Sequence, residues 1–260
     1  MKRFPCFLFL ISLLTLTACG GPATSEPAPM PQPTEAPPQP ADPPAPEPTT
    51  EPTQEMIQPT ATPENQIFRD DFTGELQPGW TWENENPDRW TVTEDGWLQI
   101  TGEDPSLLNG QPQSNLLWRD LPSGDFSISV HLKTQPLANF QQATIYLYED
   151  QENYVAINRG YCDVCLEGGN AFYFEFKIGA QWGSYSHPTD ATDVYLRLTR
   201  EEDIISGYYA EAPGQWERIG RYGGSYFDFK QVGLGVTNAD PFGSDGDLVS
   251  QFDYFEITRP

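Results

Sequence analysis

Basic side chains are scarce in this chain: 14 Lys and Arg face 38 Asp and Glu, for a formal net charge of −24. Two of the 14, Lys2 and Arg3, sit at the extreme N-terminus. A surface so poor in cations excludes nucleic acid, whose phosphates need a basic footprint. It also disfavours flat adsorption on anionic lipid. Histidine is rarer still, with only His131 and His187, and neither lies beside a nucleophile motif, so Ser-His-Asp chemistry has no support. Cysteine is limited to Cys6, Cys19, Cys162 and Cys165. Long apolar runs are missing as well. The stretch from Phe7 to Leu16 falls well short of the ~20 residues a membrane-spanning helix needs.

That short run follows a basic start in "MKRFPCFLFLISLLTLTAC", the pattern of a secretory leader. Its end, Leu16-Thr17-Ala18-Cys19, resembles a bacterial lipobox. The resemblance implies cleavage after residue 18 and diacylglycerol on the Cys19 thiol. Two acyl chains suffice for stable anchoring where one is marginal. The expected partner of Cys19 is thus a lipid bilayer, and the expected location is extracytoplasmic, at a bacterial membrane; the alternative is an ordinary secreted protein cleaved nearby. Residues 19–66 contain more than half of the 26 prolines and no Lys or Arg. Such a segment cannot bury enough apolar surface to offset its ordering entropy. Its proline content favours extended polyproline II, with a reach of ~140 Å at about 3.1 Å per residue. It reads as a disordered stalk.

Residues 67–260 change character. Helical periodicity is nearly absent and period-two alternation takes over. "DFSISVHLK" sets Phe126, Ile128, Val130 and Leu132 against Ser127, Ser129, His131 and Lys133. "QQATIYLYE" sets Ala143, Ile145 and Leu147 against Thr144, Tyr146 and Tyr148, and "AFYFEFKIG" sets Phe172, Phe174, Phe176 and Ile178 against Tyr173, Glu175 and Lys177. "DVYLRLTRE", "QVGLGVTN" and "QFDYFEITR" continue the pattern, with turns such as "PSGD" and "EAPGQ" between them. One apolar face per strand predicts antiparallel sheets covered on one side only. About a dozen strands in one domain predict an all-β, two-sheet antiparallel sandwich.

Cys162 and Cys165 fall between the strands "NYVAIN" and "AFYFEFKI", in a hairpin loop. Zinc needs four ligands, and no other cysteine and no clustered histidine supplies them. A redox dithiol needs a helix start to stabilise its thiolate, whereas this pair has strands on either side. A local disulfide is the remaining reading, with free thiols as its alternative.

A family resemblance appears at the start of this domain. "FRDDF…GWTWENENPDRWTVTEDGWLQITG" resembles the opening of concanavalin A-like lectin/glucanase sandwiches. It is most similar to the C-terminal module of bacterial β-xylosidases and its free-standing relatives. Trp80, Trp82, Pro87, Trp90, Gly96, Leu98 and Ile100 carry the pattern, Asp150, Asn153 and Tyr154 match a later hairpin, and Trp216 matches a third motif. The resemblance implies a jelly roll in which Trp80, Trp82, Trp90 and Trp97 are mainly core. It also raises a structural calcium between the first and last strands, held by Asp70, Asp71 and Asp253. No other cofactor is required.

The superfamily's hydrolases need two carboxylates on one strand. Here Glu175 stands alone beside Lys177, which reads as a cross-strand ion pair, and no catalytic residue is assigned. Binding has more to draw on. Tyr146, Tyr148, Tyr173, Tyr195 and Arg197 occupy polar strand faces, and the turn "GAQWGSYS" adds Trp182 and Tyr185. Aromatic faces stack on sugar rings while polar neighbours bond the hydroxyls; equally, tyrosines simply suit strands. The expectation is a non-enzymatic, carbohydrate-binding module with polysaccharide as partner. A protein-binding adhesion module and a divergent glycosidase are the alternatives.

Overall fold

The computed structural model of the chain describes residues 64–104, 112–223, 228–238 and 246–260. The expected leader, Cys19 and the expected stalk as far as residue 63 lie outside them, while Gln66, read as the last stalk residue, opens the first strand. Fifteen strands follow in order: β1 (Gln66–Asp70), β2 (Thr81–Glu83), β3 (Trp90–Val92), β4 (Leu98–Thr101), β5 (Leu116–Asp120), β6 (Phe126–Thr134), β7 (Gln141–Asp150), β8 (Asn153–Tyr161), β9 (Asn170–Ile178), β10 (Gln181–Pro188), β11 (Asp193–Glu201), β12 (Ile204–Ala210), β13 (Glu217–Gly223), β14 (Gln231–Asn238) and β15 (Val249–Thr258). A 3-10 turn, Pro87–Arg89, precedes β3.

The strands form two antiparallel sheets. One runs β10-β9-β8-β7-β14-β5-β2; the other runs β13-β12-β11-β6-β15-β4-β3, with β1 added alongside the end of β15. Neighbours joined by short turns, β7 through β10 and β11 through β13, build meanders. Long crossings insert β14 beside β7 and β15 beside β6, which is why chain-distant segments share a sheet.

The inward halves of the alternating strands meet between the sheets. Ile128, Val130 and Leu132 from β6, Val194, Leu196 and Leu198 from β11, and Ile145 and Leu147 from β7 are all fully buried there. Each such side chain adds roughly 1.5–3 kcal/mol relative to exposure. On β15 the alternation breaks. A bulge between Phe252 and Tyr254 inserts Asp253, so Phe252 and Phe255, three apart, are both fully buried. An extra residue re-aims the side chains after it.

Three expectations change. The turn "GAQWGSYS" is a strand: Gly179, at φ 55°, closes a tight hairpin and β10 pairs along the whole of β9 from Gln181 to Pro188. Trp80, Trp82 and Trp90 do pack against the core, but Trp97 lies outside it, 5.2 Å from His131 on the outer surface. Lastly, the seven-stranded sheet is covered on both faces over β7, β8 and β9. Gln142, Thr144, Tyr146, Asn158 and Glu175 point away from the core yet are all buried. Rings on adjacent strands shield one another there. Trp118 stacks on Tyr148 at 4.8 Å and meets Tyr146 edge-on at 6.0 Å, and Tyr146 meets Tyr154 at 6.2 Å. Gly233 permits this arrangement, because a Cβ there would sit 2.2 Å from the Trp118 ring.

Candidate ligand-binding cavity

Beside those rings, the outer face of the seven-stranded sheet opens into a cavity of about 470 Å³. β7 contributes Gln142, β9 contributes Tyr173 and Glu175, and β10 contributes Trp182, Ser184 and Ser186. The period-two alternation of adjacent strands aims all six at the same side. Phe140 and the two cysteines complete the lining.

Cys162 and Cys165 are joined by a disulfide, with their Cα atoms 5.2 Å apart. The loop it closes is tied down at several points. Cys162 N donates to Gly169 O at 2.9 Å, Asp163 N to Asn139 Oδ1 at 2.8 Å, and the Tyr173 hydroxyl to Gly169 O at 2.7 Å. Cys162 itself is buried. Phe140 is held at φ 63°, a left-handed conformation that is strained for a bulky side chain. The wall is therefore a set shape and not a loose hairpin.

The floor is polar and the mouth aromatic. Asn158 Nδ2 donates to Glu175 Oε2 at 2.7 Å. Burial pushes the Glu175 carboxyl up to about 7, a rise only partly offset by the Asn158 and Gln142 amides. Gln142 is 3% exposed, and its Oε1 accepts no hydrogen bond from the described residues. Buried polar atoms without partners cost free energy, so this one marks where a bound hydroxyl or water would be satisfied. Trp182 stands at the rim, 60% exposed.

The sequence-based candidates divide between two surfaces. Tyr173 and Trp182 line the cavity. Tyr146 is on the same sheet but fully buried, and Tyr148 is half-buried against Trp118. Tyr185 points the other way, toward Phe174 and Gly220. Tyr195 and Arg197 belong to β11, in the other sheet. There Tyr195 stacks on His131 at 4.4 Å and the Arg197 guanidinium lies 3.8 Å from the Trp216 ring. Strand alternation marks which residues face outward, but not which sheet they belong to. Gln142, Asn158, Ser184 and Ser186 were missed, since short polar residues on strands look the same in a floor as on a surface.

Glu175 and Lys177 do not pair. Lys177 Nζ is 2.8 Å from Glu152 Oε1 on the β7–β8 turn, while Glu175 is drawn into the sheet by Asn158. The carboxylates raised for calcium have separate partners. Asp70 is buried, accepting from Phe72 N and Gln77 N and from Trp80 Nε1 at 2.9 Å. Asp71 pairs with Arg69, and Asp253 with His131 Nδ1 at 2.9 Å. Among the described residues no group of three or more His, Cys, Asp or Glu could hold a metal ion.

The family model for the β-xylosidase C-terminal concanavalin A-like domain matches residues 69–258. The chain belongs to this family. Similar solved structures include a GH43 protein from Bacillus licheniformis, with TM-score 0.64 and 21% identity, covering 74% of this chain and 39% of that one. A xylan β-1,4-xylosidase from Bacillus halodurans gives TM-score 0.61 and 18% identity, covering 78% and 41%. The chain thus spans about two fifths of the length of these two proteins. A functionally unknown protein from Saccharomyces cerevisiae is matched over 97% of its own length, with TM-score 0.52, 17% identity and 70% of this chain covered. Comparison with curated proteins returns no match. At these identities the solved structures share the fold. Function has to be argued from the family's sandwich as this chain has built it.

Proposed function

We propose that this β-xylosidase C-terminal-type sandwich is a non-catalytic carbohydrate-binding module, held away from a bacterial membrane by its proline-rich stalk and lipidated Cys19. The observation that carries this reading is the cavity on the seven-stranded sheet. Its exposed Trp182 and the Phe140 and disulfide walls offer apolar surface to a sugar ring, and its buried floor offers Glu175 and Gln142 to hydroxyls. Sugar sites combine these two elements. Hydrolysis would need a second carboxylate near the first, and Glu175 is the only one among the described residues lining the cavity.

Titration of the purified full-length chain with a panel of neutral oligosaccharides tests the reading. Binding should be measurable, and Trp182→Ala should weaken it about 30-fold, the effect of losing an anchor worth about 2 kcal/mol. A panel in which nothing binds would overturn the carbohydrate reading. Anchoring has its own check: a metabolic acyl-chain label should be incorporated by the wild-type chain and lost in Cys19→Ser. Labelling that survives the substitution would refute it.

A further inference from the structure

The groups presented inside the cavity are unequal in kind, and the imbalance bears on which sugar would fit. Glu175 is a carboxyl, Gln142 presents an unpartnered carbonyl-type oxygen, and the Tyr173 hydroxyl already donates its hydrogen bond to Gly169 O. Those three offer lone pairs. Ser184 and Ser186 can donate or accept, and Trp182 adds a neutral indole N–H donor at the rim; Phe140 and the disulfide are apolar. Among the described residues of the lining there is no Lys, Arg or His.

Nearby cations are committed elsewhere. Lys177, two positions along β9 from Glu175, holds Glu152 at 2.8 Å. Arg159 on β8 is buried and directs its three donor nitrogens to Ala191 O, Gly160 O and Asn170 Oδ1, at 2.8–3.0 Å. The chain as a whole carries a formal charge of −24. An anionic group reaching the buried floor would meet the Glu175 carboxyl and the Gln142 oxygen with no cation in the described lining to pair it, and bringing like charge to a buried acceptor is costly.

We infer that the cavity accepts an uncharged sugar residue through its hydroxyl donors and rejects one bearing a carboxylate or sulfate, with Glu175 as the specificity-determining residue. This rests on the carbohydrate reading and narrows it to a ligand class. Discrimination here works by repulsion as much as by attraction, as specific sites commonly do. The tyrosines within electrostatic reach of Glu175, namely Tyr146, Tyr154 and Tyr173, are pushed up by burial and stay neutral at ordinary pH. Glu175 is then the titrating group on the floor.

The test uses the full-length chain and matched hexasaccharides of glucose, mannose and galactose, each with its counterpart oxidised at C6 to the uronate. At pH 8 at least one neutral member should bind at least tenfold more tightly than its oxidised partner. Glu175→Gln should weaken neutral binding severalfold while uronate binding holds or rises, so that the ratio narrows severalfold, with circular dichroism reporting whether the variant folds. Wild-type protein supplies the same readout without a substitution, because the ratio should shrink between pH 8 and pH 5 as Glu175 gains its proton. A uronate that binds as well as its neutral partner would overturn this inference and leave the carbohydrate reading standing. So would a ratio indifferent to both pH and Glu175→Gln. If none of the six binds, both fall together.

Discussion

The two outer faces of the sandwich solve the same problem in opposite ways. Each carries the polar half of alternating strands, rich in tyrosine and tryptophan. Over the middle of the seven-stranded sheet the rings pack against one another and are largely buried, and the charges are few: Glu175 is enclosed, Trp118 is held by Glu83 through a 2.6 Å hydrogen bond, and Lys177 pairs with Glu152 at the margin. On the eight-stranded sheet the rings lie under charges. Arg69 covers Tyr254 at 4.2 Å, Lys133 covers Trp97 at 4.2 Å, and His131 is held between Asp193 and Asp253 at 2.6 and 2.9 Å. The second face is a solvated lattice of pairs, each worth little alone. The first has given up solvation for enclosure, and enclosure is what a small-ligand site needs.

The contrast is open to direct attack. The largest effect should come from Trp118→Ala, which empties the covered face; about 4 kcal/mol of stability should be lost, in line with buried tryptophan truncations. The counterpart Trp216→Ala on the open face should cost under about 1 kcal/mol. Urea denaturation of both variants measures the difference, and equal losses would show that the two faces are not as unlike as their burial implies.

Next in size is the pH dependence of Glu175. Its carboxyl is raised from 4.5 to about 7 in the folded chain, so the folded state holds the proton more tightly than the unfolded state. This group therefore favours folding least above pH 7. Its contribution to stability should fall as pH rises from about 4.5 to 7 and then level off, by up to about 3 kcal/mol. The difference between wild type and Glu175→Gln isolates it in denaturation curves at pH 4.5, 6 and 8. A constant difference would mean that Glu175 titrates normally.

The smallest effect should follow opening of the Cys162–Cys165 clip. A loop this short should add at most about 2 kcal/mol through chain entropy. The paired Cys162→Ser, Cys165→Ser variant should thus remain folded by near-UV circular dichroism while ligand affinity at the cavity drops. Unchanged affinity would reduce the disulfide from a wall of the site to a bystander.

Legibility from sequence followed how strongly burial constrained each segment. β11 and β14 coincide with the alternating stretches read from sequence, because their inward residues have no choice of face. β10 was read as a turn: it is an edge strand with most of its positions exposed, so no apolar rhythm marks it. The Asp253 bulge was invisible for a related reason, since one inserted residue shifts register without changing composition.

Alternation and turn chemistry by themselves determined that this chain forms an antiparallel sandwich, and ordered motifs placed it beside the xylosidase modules. The two-cysteine loop could be read as a clip because the chain had nothing else to offer those thiols. Which tyrosines share a surface was decided only by tertiary structure. Strand order within a sheet depends on long crossings such as those that place β14 by β7 and β15 by β6, and local sequence carries no record of them. A change of sheet between β10 and β11 put Tyr195 and Arg197 on one side of the molecule and Tyr173, Glu175 and Trp182 on the other, and the β8–β9 connection set the disulfide at the edge of the cavity.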